Sequence, residues 1–468
     1  MAVPQDVLIV GGGVFGCQYS NPYIYLFAST PVYIFIWMST ALALSKRHAG
    51  TRITLIEASP TIPNPHGSSV DTSRIVRADY ANPAYTKLAA AAIERWRSTD
   101  WGNEGRYTQN GLALVYPDGN ETAKNYSMKS YENVKQLDAK SVQLLPTKSD
   151  VLRAVPAYGD QINVAGGYVN WGSGWSDAEG AVRYAKKLLD QEGRVNFRTG
   201  EVEHLLFAEA EAGKEQVVTG VALASGETIS ADLVVLATGA WTAKLLDLRG
   251  RAVSTGQALA YIRISDEEQQ RLAHMPTILN FATGIFIIPP RNNLLKIARH
   301  AYGYHNPKTV AVPSAAGRRA PTRESTEVSL PEKDVPVPAE GQEAFRVALG
   351  KLLPGFADRP FEYTRICWYT DTPKADFIVT HHPAHKGLFL ATGGSGHAYK
   401  FFPILGDKVV DALEGTLDRE LSELWKWPAA MSKTEFDGTE DGSRSGRKGL
   451  LLMEELAKTQ KRRRGSVL

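Results

Sequence analysis

The chain has 468 residues, 43% hydrophobic and 22% charged, which is ordinary for a globular protein and long enough for two domains. A net charge of +3 and a pI near 8.6 are too slight to point to nucleic acid, and no basic stripe with interleaved aromatics precedes the last residues. Two cysteines, Cys17 and Cys367, exclude a disulfide framework and fit a reducing compartment. The start lacks the charged and apolar regions of a secretory signal.

Residues 7–10, Val-Leu-Ile-Val, read as a buried strand. They run into Gly11-x-Gly13-x-x-Gly16, with Val14 and Phe15 between the last two glycines. This is the dinucleotide-binding fingerprint, and a helix should follow it at once. The expected helix begins only at Ser39, and residues 17–38 stand between. Seven of these 22 residues are aromatic, against 9% for the chain. The second strand, 52–56, leads to Glu57, where this fold places an acidic residue for a ribose hydroxyl about 20 positions past the last glycine. Here the spacing is 41 positions. Replacing residues 17–38 by one ordinary residue restores about 20.

That register favours reading the block as a translated intron or gene-model error. A genuine inserted loop and a membrane or interfacial anchor are the other readings. The length suits a span, but Asn21, Pro22 and Pro31 interrupt it and no basic cluster flanks it. The consequence is physical: a bound pyrophosphate needs the free N–H groups of the helix start beside the glycines.

A proline-rich loop, 58–66, precedes Val70-Asp71-Thr72-Ser73-Arg74-Ile75-Val76-Arg77. Arg-x-x-Arg is helix spacing and would put both guanidiniums on one side of a helix. An amphipathic helix is predicted over 84–97, a polar one over 122–137 and another over 177–192. The strand 232–237 ends in Ala237-Thr238-Gly239-Ala240, a small-residue turn that allows close approach of a ligand. Strands 281–289 and 294–298 form a predicted hairpin with Asn292-Asn293 in the turn. Lys296 lies between apolar neighbours, and alternation alone would point it to solvent. A helix is predicted over 342–353. Then Cys367-Trp368-Tyr369-Thr370-Asp371-Thr372-Pro373 leads to strand 387–392 and a second glycine loop, Gly393-Gly394-Ser395-Gly396-His397-Ala398-Tyr399-Lys400, opening a helix over 403–413. Residues 429–468 are polar, Gly-rich and finally basic, and are expected to form a flexible tail.

Taken together, the fingerprint, Glu57, Ser-x-Asp-x-x-Arg-x-x-Arg, Ala-Thr-Gly-Ala-Trp, Cys-Trp-Tyr-Thr-Asp-Thr-Pro and Gly-x-Ser-Gly-His-x-x-Lys resemble the FAD-dependent amino-acid oxidase superfamily. The nearest branch holds monomeric sarcosine oxidase, pipecolate and saccharopine oxidases and the fungal fructosyl-amino-acid oxidases. The resemblance covers most of residues 5–430, apart from 17–38. It implies an α/β fold of two domains: a Rossmann-like FAD-binding domain from residues 1–98, 161–250 and 360–428, and an antiparallel-sheet substrate domain from 99–160 and 251–359.

It also implies roles. Gly11, Gly13, Val14, Phe15, Gly16, Glu57, Ser73, Arg74, Gly239, Gly394, Gly396 and His397 would lie at FAD. Cys367 matches the cysteine that carries FAD covalently. Arg77 and Lys400 match the cations that hold a substrate carboxylate, with Lys400 also beside the flavin. Lys296 matches the lysine that activates oxygen, and Arg74 would sit near the flavin. The implied reaction passes hydride from a secondary amine of an α-amino acid to flavin N5, hydrolyses the imine and reduces O2 to H2O2. Sarcosine, pipecolate, saccharopine and fructosyl amino acids all stay open as substrates. No metal is expected, and a monomer acting on a small molecule is. The last three residues, Ser466-Val467-Leu468, leave peroxisome and cytoplasm both open. The competing class is a catalytically impaired or membrane-tethered relative, its FAD site broken by residues 17–38.

Overall fold

The computed structural model describes residues 3–11, 34–64, 67–68, 70–208, 216–313, 323–432 and 438–465. Gly13, Val14, Phe15, Gly16, residues 17–33 and the last three residues lie outside them.

A six-stranded sheet forms the first layer. Its order is Ile378–His381, Leu388–Thr392, Leu233–Ala237, β1 (Asp6–Gly11), β2 (Arg52–Glu57) and Val195–Thr199. All neighbours are parallel except the Ile378–His381 edge. Its inner strands Asp6–Gly11, Leu233–Ala237 and Leu388–Thr392 are buried on both faces, which explains their apolar runs. Gly11, Glu57, Gly239 and Gly394 stand at, or one or two residues beyond, the C-terminal ends of four neighbouring strands. That edge is where open α/β sheets bind ligands.

The helix after the fingerprint differs from expectation. α1 spans Ile34–Arg47, so it starts five residues before Ser39 and takes in the end of the 17–38 block. Ile34–Met38 are apolar, and Trp37 and Met38 are fully buried in the core, so burial extends the helix backwards. Ser39 and Thr40 return their hydroxyls to the Ile36 carbonyl, at 3.1 and 2.7 Å, as residues inside a helix do. α1 packs on the helix Phe402–Glu414, where a Cβ on Gly406 would lie 1.9 Å from the Ser39 carbonyl oxygen.

A ten-stranded, mainly antiparallel sheet forms the second layer. Its centre is Val253–Arg263, paired on one side with Leu294–Arg299 and on the other with Tyr363–Asp371. The hairpin Ile285–Arg291 to Leu294–Arg299 turns at Asn292 and Asn293, with φ of 52° and 58°. Two left-handed residues in a two-residue turn match the right-handed strand twist, and asparagine tolerates them. Three strands of this sheet come from outside the ranges expected to build it: Gly166–Asn170, Tyr363–Asp371 and Leu450–Leu451.

Two expectations fail. Arg-x-x-Arg is not on a helix: β3 (Arg74–Val76) is a strand paired antiparallel with Gly174–Ser176, as β-branched Ile75 and Val76 favour. The final segment is no flexible tail over its described part, 438–465. Leu450–Leu451 adds in parallel to Tyr304–His305, Leu450 and Leu452 enter the core, and a helix, Leu452–Gly465, packs on Ala339–Leu352. Among the described residues no helix is long and apolar enough to cross a membrane.

Candidate active site

A cleft opens between the two sheets, and Arg74, Arg77, Lys296, Cys367, His397 and Lys400 all line it. They come from β3 and the residue after it, from two strands of the second sheet and from the second glycine loop. Distant stretches thus converge because one face of the second sheet, at mid-strand positions such as Lys296 and Cys367, meets the glycine loop at the C-terminal edge of the first.

Lys296 is 1% exposed and does not face solvent. Its Nζ donates to Asp71 Oδ2 and to the Ser73 carbonyl, each at 2.7 Å. Asp71 also accepts from the Tyr261 hydroxyl at 2.6 Å and pairs with Arg74 Nη1 at 3.0 Å. Burial opposes the charge on Asp71, but Lys296, Arg74 and Arg365 together hold its carboxyl below the usual carboxylate range. Burial pushes Lys296 down to about 8, while Asp71 works the other way. Asp71 therefore fixes a cation in the cleft wall. Its place in the motif is legible in the sequence, but its partner lies 225 positions away.

Cys367 sits on the strand Tyr363–Asp371, opposite Gln257, and Arg74 Nη2 reaches its Sγ at 3.3 Å. Burial opposes the Arg74 charge, yet Cys367 and Asp71 outweigh it and raise its pKa. The rest of the Arg74 fork is held by the Ser68 carbonyl.

Arg77 and Lys400 flank one tyrosine. The Arg77 guanidinium lies 4.9 Å from the Tyr80 ring centroid and Lys400 Nζ lies 5.1 Å from it. Arg77 Nη1 is buried with no hydrogen-bond partner among the described residues. Lys400 Nζ donates to the Tyr80 hydroxyl at 2.8 Å and to the His397 carbonyl at 2.7 Å. Neither acceptor is charged. Burial first, and Arg77 second, push the Lys400 pKa well below its ordinary value. His397 Nε2 meets the Ala375 carbonyl at 2.7 Å and so carries the hydrogen. Its Nδ1 then accepts from Tyr80 at 2.9 Å, which leaves the Tyr80 oxygen free to accept from Lys400.

At the sheet edge, Glu57 Oε1 accepts from the Ser59 N–H and Asn64 Nδ2. Its Oε2 is buried with no hydrogen-bond partner among the described residues, and burial raises the carboxyl to about 7. An orphaned acceptor beside Gly11 is the cradle a ribose hydroxyl requires. At the other end, Gly239 and Gly396 take positive φ, and a Cβ on Gly396 would lie 2.3 Å from the Tyr369 ring. These residues, with Cys367, Arg74 and Ser73, are of the kinds that would hold the two ends of an FAD molecule, with Trp37 Nε1 also in the space at the Glu57 end.

The sequence reading missed Arg444. Its Nη2 donates to Asp371 and to the Ser395 carbonyl, its Nη1 donates to His300 Nδ1 at 3.2 Å, and its guanidinium lies 5.0 Å from the Tyr369 ring. Burial and Arg444 keep His300, a cleft residue, neutral.

The pattern of the FAD dependent oxidoreductase (DAO) family matches residues 38–412. The chain belongs to this family. It is an oxidoreductase with the family's fold, and it is 31% identical to the amino acid oxidase imqH of Aspergillus flavus in an alignment covering 92% of this chain and 99% of that protein. It is 26% identical to L-saccharopine oxidase of Schizosaccharomyces pombe, over 90% and 93% of the two chains. A modified fructosyl peptide oxidase from Aspergillus nidulans superposes with a TM-score of 0.78 at 26% identity, covering 96% of this chain and 98% of the other.

Proposed function

We propose that this family member oxidises a secondary amine on an α-amino acid, with FAD held covalently through Cys367. The observation that carries the reading is the pair Arg77 and Lys400. Both are buried cations at the cleft, and Lys400 has only uncharged acceptors. Asp79 is the buried carboxylate that acts on both, while burial and Arg77 work against the charge on Lys400, so a substrate carboxylate would supply the counter-charge that keeps Lys400 protonated, and it fits an Arg fork beside a Lys point charge.

FAD, when bound, supplies the acceptor for the hydride and the route of electrons to O2. The chain's own residues do the rest. Arg77 and Lys400 grip the carboxylate, with Tyr80 and His397 fixing the Lys400 head. The cations around the cleft disfavour an ammonium bound among them, so the substrate amine is held as the free base that hydride loss requires. Lys296, kept in place by Asp71, adds a fixed positive charge that favours electron uptake by O2. Cys367, with Arg74 Nη2 3.3 Å from its Sγ, would be the residue that carries FAD covalently. The balance is amine, O2 and water giving carbonyl compound, the freed amine and H2O2. The names of the relatives, among them a saccharopine oxidase and fructosyl peptide oxidases, support a secondary amine as the substrate class.

The test is peroxide release from FAD-loaded protein offered sarcosine, pipecolate, saccharopine and fructosyl-valine, each beside its decarboxylated analogue. The reading requires turnover of at least one acid and little of its analogue. Equal turnover of acid and analogue would remove the role of Arg77 and Lys400.

A further inference from the structure

The fingerprint's third glycine exists so that helix and strand can touch. In α1 that place is taken. If residues 17–37 were absent, Gly16 would join Met38 and would stand where Trp37 stands now, two positions before Ser39. Trp37 thus brings the largest side chain to the site of closest approach.

Its indole lies accordingly. The point where a Cβ on Gly11 would sit is 3.0 Å from Trp37 Nε1, 3.0 Å from Glu57 Oε2 and 2.9 Å from the Ile56 carbonyl oxygen. Trp37 is 0% exposed. Its Nε1 and Glu57 Oε2 are both buried without a hydrogen-bond partner among the described residues. One unsatisfied donor and one unsatisfied acceptor face the same small space and do not bond to each other. Native interiors rarely leave such a pair. The space between the end of β1 and this carboxylate is where the fold receives a nucleotide ribose.

We propose that Trp37 occupies the ribose end of the nucleotide crevice, so that the chain as written binds FAD only by displacing the indole. This rests on the FAD reading above. Glu57 is then buried against a side chain that cannot satisfy it, and the crevice opens when Trp37 is replaced by glycine or residues 17–37 are removed.

The test uses the full chain in a Cys367→Ser background, so that binding is reversible, beside the same protein with Trp37→Gly and with residues 17–37 deleted. FAD is titrated into each apo-protein and quenching of flavin fluorescence gives Kd. ADP, the nucleotide half alone, is titrated by calorimetry. Both altered proteins are expected to bind FAD and ADP at least tenfold more tightly than the full chain. Equal Kd values in all three would overturn the obstruction. Tight binding by the deletion but not by Trp37→Gly would overturn the assignment to Trp37. If even the deletion leaves FAD unbound while circular dichroism shows it folded, the FAD reading falls, and the obstruction falls with it.

Discussion

Arg444 and Asp371 form a salt bridge at 2.7 Å with both side chains 1% exposed, joining the last 30 residues to the strand that carries Cys367. A charge this deeply buried is costly without its partner. Arg444→Met is expected to destabilise the protein by about 3–5 kcal/mol, read as a fall in the urea midpoint. Adding Asp371→Asn should recover part of the loss, because the orphaned carboxylate is then gone. No recovery in the double variant would mean that the cost comes from packing.

Carboxylate recognition can be separated from chemistry. Tyr80→Phe removes an acceptor of Lys400 and the donor to His397. We expect KM for an amino-acid substrate to rise about tenfold, the scale of one lost charge-assisted hydrogen bond, with kcat changed little. Lys400→Met should raise KM further and leave a decarboxylated analogue unaffected. A fall in kcat alone would contradict this assignment.

How much of this was legible in the sequence depends on the reach of each interaction. Gly11, Glu57 and the second glycine loop could be placed because each stands at or just past the end of a short apolar strand, and Cys367 because the Cys-Trp-Tyr-Thr-Asp-Thr-Pro motif marks it. The hairpin at Asn292 and Asn293 was legible for the same reason. Arg74 and Arg77 were misread as helical because two arginines three apart suit one face of a helix, and only the pairing of β3 with Gly174–Ser176, with Arg77 one residue past it, decides otherwise. Composition made residues 429–468 look like a tail. What orders Arg444 is Asp371, 73 positions earlier, and no local pattern shows that. The backward growth of α1 was hidden because an apolar stretch declares a helix only when a core is there to receive Trp37 and Met38.

Lys296 should set the alkaline limb of the oxidative half-reaction. Burial brings its pKa to about 8, so its charge is lost as pH rises through that value. The second-order rate with O2 is expected to fall above pH 8. Lys296→Met should lower it about 10²-fold or more and abolish the limb. Retention of the limb in that variant would place the titration elsewhere.

Glu57 gives a stability test without substrate. Its folded pKa, about 7, is above the unfolded value near 4.5, so the folded state binds more protons between these values. Its contribution is full below pH 4.5 and is lost as pH rises through 7. Glu57→Gln should therefore stabilise the apo-protein at pH 8 relative to pH 5, by up to about 3 kcal/mol in differential unfolding free energy. An unchanged pH profile would mean that the carboxyl is solvated.

The most direct measurement is on purified protein lacking residues 17–37, supplied with FAD, precipitated in acid and examined for flavin absorbance in the pellet, alongside peroxide release from the intact sample. The account predicts a yellow pellet, a colourless one for Cys367→Ala, and peroxide from at least one secondary-amine amino acid. A folded, FAD-loaded protein that gives no peroxide with any carboxylated secondary amine would contradict it.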